Sequence, residues 1–173
     1  MKGLKILAVA SLLLPLTAVF AGSGKNSGNW TLTVGEDSST YATVASLQQE
    51  SLTTVKDEYA KQDLNPQLQF RCTPGKPVIT ARIDWQRFIS SFSTELGFKV
   101  DGGKFTWLKW KVDQSNKVTF SPSAEDSQKL IDLALNGNKL LVEVTPYSGS
   151  PVTVEYDLAG FSAALAKLKD SCR

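Results

Sequence analysis

Phe105, Trp107, Lys109 and Lys111 stand at alternate positions of a run that also carries Thr106, Leu108, Trp110 and Val112. Successive side chains of a strand point to opposite faces, so one face here is aromatic and basic and the other mostly aliphatic. If the aliphatic face is core, ring faces and ammonium groups are left outside, where they suit a glycan, a peptide or a partner protein. The competing reading covers both faces and puts Phe105 and Trp107 in the interior. Tyr147, in the turn-rich stretch from Pro146 to Pro151, would extend the same surface.

Other groups could do chemistry, and each has a plain structural alternative. Glu143 and Glu155 sit on the polar faces of two neighbouring strands and are the best candidates for a carboxylate pair of the glycosidase kind. Exposed strand faces also carry carboxylates routinely, and the sequence leaves their separation open. Arg82, Asp84 and Trp85 suit either recognition or a cross-strand ion pair worth about 0–1 kcal/mol. Gly102 and Gly103 form a turn with no helix start after it, so they do not cradle a phosphate.

Histidine is absent from all 173 residues. That removes Ser-His-Asp and Cys-His catalysis. It also removes histidine-based zinc sites, and two cysteines cannot build a four-thiolate one. We therefore expect no enzymatic activity, no metal and no cofactor.

The first 21 residues set the compartment. Lys2 and Lys5 precede an apolar run that ends in Val19, Phe20 and Ala21. This is the order of a secretory signal peptide cut after Ala21, and it is short and broken by Pro15 for a spanning helix. No cysteine lies near the cut, which argues against a lipid anchor. Residues 22–28 are a Gly/Ser-rich leader. Lys2 and Lys5 leave with the signal peptide, so 17 basic residues balance the 17 acidic ones. A neutral chain lacks the basic excess that nucleic acid requires. No later run is long enough to span a bilayer. The expectation is a periplasmic protein. There, Cys72 and Cys172 pair most simply as one disulfide, the other choice being two free thiols.

The remaining elements must position these groups. Alternation marks strands near 30–34, 41–47, 68–72, 78–85, 98–100, 105–112, 118–120, 140–144 and 152–156. A two-residue glycine loop is expected at 102–103. Ser123 caps a helix with Glu125 and Asp126 in its first turn, buries Leu130, Ile131, Ala134 and Leu135, and ends at Asn136-Gly137. A second helix runs from about Gly160 to Asp170, with Phe161, Leu165 and Leu168 on one face. Residues 50–65 read as a loop with room for a short helix. The fold class is α+β: mostly antiparallel β, as a sandwich or a curved sheet, with two short helices, the last C-terminal. One domain covers 29–173.

Several segments in order resemble the periplasmic VasI/TagO-like proteins associated with type VI secretion. They are Glu36-Asp37-Ser38, then Leu68 to Cys72 with Gly75-Lys76, then Phe98 to Gly103 leading to Trp107 or Trp110. Leu140 to Tyr147 and Val154 to Phe161 follow, with Cys172 last. The resemblance implies a non-enzymatic accessory protein whose partner is an envelope or secretion-apparatus protein, and it carries no catalytic residues over. A periplasmic inhibitor or immunity protein against a cell-wall hydrolase is the alternative, with the Thr145 to Val152 loop filling the enzyme cleft.

Overall fold

A computed structural model describes residues 29–37 and 40–173. The expected signal peptide (1–21) and leader (22–28) lie outside the described residues.

Alternating apolar and polar residues produce strands β1 (Thr31–Glu36), β2 (Thr43–Glu50), β5 (Gln67–Thr73) and β6 (Lys76–Asp84). They continue as β7 (Ser93–Val100), β8 (Thr106–Val112), β9 (Val118–Phe120), β10 (Lys139–Val144) and β11 (Val152–Asp157). Two very short strands, β3 (Val55–Lys56) and β4 (Asp63–Leu64), pair only with each other. The nine others form one antiparallel sheet in the order β1-β2-β5-β6-β9-β8-β7-β10-β11. The sheet curls into a half-barrel. Of the two architectures expected, the curved sheet is the one adopted.

One face of this sheet is the interior. Ala45, Leu47, Leu68, Phe70, Ala81, Ile83, Phe98, Trp110, Val142 and Tyr156 are all buried on it. Helices α1 (Ala124–Ala134) and α2 (Phe161–Ser171) close that face. Ser123 caps α1 as expected, its hydroxyl accepting from the Asp126 N–H at 3.1 Å. Leu130, Ile131 and Ala134 are its buried stripe, while Leu135 is only partly covered. Gly137 follows without a left-handed backbone. A Cβ there would lie 2.3 Å from Val100 Cγ1, so close approach to β7 explains the glycine better than helix termination does. Beneath α2, Phe161 meets Trp30 at 4.8 Å and Phe70 at 5.1 Å between ring centroids.

Two expectations need correction. The β7–β8 connection is longer than two residues, because Phe98 pairs with Thr106. Its shape comes from Asp101, whose carboxylate accepts from the N–H groups of Asn138 (3.0 Å) and Lys139 (2.9 Å) and ties the loop to β10. The 50–65 stretch holds the β3–β4 hairpin in place of a helix. Its β-branched Thr53, Thr54 and Val55 disfavour helix, and Asp57 Oδ1 turns the chain by accepting from the N–H groups of Tyr59 and Lys61. The same stretch is docked on the sheet: Leu52 N–H donates to Glu155 O at 2.7 Å, and Glu155 N–H donates to Thr53 Oγ1 at 3.0 Å. It therefore covers the β11 edge of the sheet, which would otherwise present unpaired backbone groups.

Candidate binding surface

Register on β8 places the aromatic-basic strip on the sheet face away from the helices. Trp110 is fully buried on the inner side against Phe98, with ring centroids 5.2 Å apart. Leu108 and Val112 are half-buried on that side. Trp107 points the other way and is 48% exposed; Lys109 and Lys111 are exposed with it. Phe105 lies just before β8 and is half-buried. The reading that put Trp107 in the core is overturned.

Gly97 explains why these two rings lie together. It stands directly opposite Trp107 on β7. A Cβ at Gly97 would sit 2.9 Å from Phe105 Cδ1 and 2.9 Å from Trp107 Cη2. The missing side chain lets both rings fold down over the strand, 5.6 Å apart between centroids. Lys99 adds its ammonium group 5.3 Å from the Phe105 ring centre. Across the strands, Lys109 faces Glu95. A shallow hollow of about 460 Å³ opens beside Trp107, between Thr94, Glu95 and Thr145. The result is a preformed patch of two rings ringed by charges of both signs.

Tyr147 is 86% exposed, in the loop after β10, and its N–H donates to Ile89 O at 2.8 Å. Extending the β10–β7 register past Val144–Leu96 brings the loop toward the start of β7, where Phe92 is 84% exposed. Phe92 was not anticipated from the sequence; neither were Gly97 and Lys99. Pairing partners are set by strand order, which the alternation pattern does not contain.

The carboxylate candidates do not face each other across the strands. Glu143 pairs with Thr153 and Leu141 with Glu155, so the two glutamates are diagonal, not opposite. Each has its own partner: Glu143 accepts from Thr153 Oγ1 at 3.3 Å, and Glu155 meets Lys139 Nζ at 2.8 Å. Arg82 does not use Asp84 as a close partner. The carboxylate nearest it is Asp113, at 4.0 Å, while Asp84 accepts the Gln86 N–H at 2.9 Å. Trp85 is fully buried and donates to Thr119 Oγ1 at 3.0 Å. Burial, and then the neighbouring Arg71 charge, lower the Arg82 pKa below its ordinary value.

Cys72, near the end of β5, and Cys172, just past α2, form a disulfide with their Cα atoms 5.8 Å apart. Among the described residues no helix is long and apolar enough to cross a membrane.

No family model matches the chain, and no curated protein matches it. Among solved structures it is similar to the crystal structure of invasion associated protein B from Bartonella henselae, at 13% identity and a TM-score of 0.49. That likeness covers 83% of this chain and 94% of that one. A likeness of this size carries no argument about function.

Proposed function

We propose that this chain is an exported, non-catalytic binding or accessory protein of the cell envelope, and that it acts through the Phe105/Trp107/Lys109/Lys111 face. The observation that carries the reading is the half-exposed Trp107, held with Phe105 over Gly97 on a rigid sheet. Large aromatic side chains that are already ordered lose little entropy on binding and serve as anchors. The disulfide supports an oxidising compartment. The VasI/TagO-like resemblance supports a partner in the envelope or in the secretion apparatus.

A second reading keeps the same compartment and makes the protein an inhibitor or immunity factor against a cell-wall hydrolase. The nearly fully exposed Tyr147, on a loop tied down at Ile89, favours it. A photoreactive residue placed at Lys109, and separately at Tyr147, tests both in cells. The primary reading expects a discrete envelope adduct from Lys109. An adduct with a hydrolase from Tyr147 alone would favour the second. Absence of any adduct from Lys109 would remove the primary one.

A further inference from the structure

A second concave region lies on the same outer face, over β5 and β6, with β9 between it and β8. Lys111, Phe120 and Arg82 form one cross-strand row over β8, β9 and β6, leading from the aromatic patch toward it. Two adjoining hollows of about 630 and 510 Å³ meet at Arg71 and Arg82. The first is polar, with Gln48, Gln69, Asp84 and Lys117. The second has an apolar side formed by Val44, Val78 and the Phe120 ring.

The two arginines are placed by register. Gln69 faces Arg82, and Arg71 faces Thr80, so the guanidinium groups come from adjacent strands at diagonal positions. Both side chains are largely covered, with 19% and 26% of their surface exposed. Arg71 is ion-paired with Asp37. Arg82 differs. Its Nε is buried without a hydrogen-bond partner among the described residues. The Asp113 carboxylate is 4.0 Å away, beyond hydrogen-bond reach, and its other oxygen is held by Ser115 N–H (3.0 Å) and Ser115 Oγ (2.5 Å). A covered guanidinium with an unmade hydrogen bond is costly, and its planar fork matches a carboxylate in two-point geometry.

The surrounding charges narrow the ligand. Glu36, Asp37, Asp84 and Asp113 line the same hollows and would repel a polyanion. They would welcome N–H or O–H donors beside a single negative charge. We propose that Arg71 and Arg82 form a binding site for a small ligand with one free carboxylate, flanked by such donors and by a short aliphatic group. A peptide C-terminus and an acidic amino sugar both present that chemistry. The site is separate from the Trp107 patch and stands or falls independently of it.

The test is an NMR titration of the purified protein, following the side-chain Nε–H signals of Arg71 and Arg82. The probes are tri-alanine, tri-alanine amide and N-acetylmuramic acid. The expected result is a saturable shift with at least one free carboxylate and binding about tenfold or more weaker with the amide. Whichever carboxylate probe binds identifies the source. Arg82→Gln should abolish the shift of the Arg71 signal. Thr80→Glu sets a carboxylate on the protein opposite Arg71 and should block the site while keeping the fold, so the test survives if Arg82→Gln does not fold. No shift with either carboxylate, equal binding of the amide, or unchanged binding by Thr80→Glu would overturn the proposal.

Discussion

Trp107 and Trp110 are three residues apart and have opposite fates. Trp110 fills the interior beside Phe98, and its replacement by alanine should cost about 3–5 kcal/mol. Trp107 rests on Gly97 and Phe105 from outside. Gly97→Val should leave the chain folded and push both rings off the strand, because the clashing atoms belong to side-chain rings rather than backbone. A red shift and greater quenching of tryptophan emission would report this, while unchanged emission would contradict the geometry. Parity along β8 made the two-faced strand legible in the sequence. What parity could not supply was the neighbour: Gly97, Lys99 and Glu95 become part of the patch only through the pairing of β7 with β8. Arg71 was hidden for the same reason. Its alternation with Leu68, Phe70 and Cys72 puts it on the outer face, yet nothing in the chain brings it beside Arg82 before β5 and β6 are in register.

At the level of elements, α2 is held at both ends. Phe161 packs on Trp30 and Phe70 at its start, and Cys172 is bonded to Cys72 at its finish. A bridge with a sequence separation of 100 is worth up to ~4.7 kcal/mol in the chain-entropy model. Cys72→Ser should therefore lower the denaturation midpoint about as much as reduction does, and faster amide exchange should appear first in α2. A midpoint unchanged by both would contradict this. The 50–65 segment was the least legible part, since its two-residue strands are too short for any periodicity. Glu58 helps dock it by accepting the Phe88 N–H. Hydrogen bonds from the backbone N–H of Glu58 itself and then of Phe88 hold its carboxyl below the ordinary glutamate value. A lowered folded-state pKa means the contact is complete above the ordinary value and lost as pH falls through the lowered one. The Phe88 amide signal should titrate with that low midpoint, and Glu58→Gln should abolish the titration.

For the whole molecule, nine strands and two helices could be read from the sequence because each has its own alternation or helical stripe. Antiparallel order was legible from the short turns. The choice of one curled sheet over a sandwich was not, because it depends on β9 pairing with β6 and β7 pairing with β10 across long connections. Two proposed binding features share the outer face of that sheet, an aromatic patch on β7 and β8 and an arginine pair on β5 and β6. Export is the first global expectation: intact mass of the protein from the periplasm should lack Met1 to Ala21, and a mass that keeps them would contradict it. In the proposed function the Trp107 face binds a partner and does not hold the fold together. The most direct measurement combines the unfolding free energy of Trp107→Ala with envelope cross-linking from Lys109 in the same variant. We expect a stability loss of about 1 kcal/mol or less together with disappearance of the adduct. A loss of about 3–5 kcal/mol, or an adduct that persists, would contradict it.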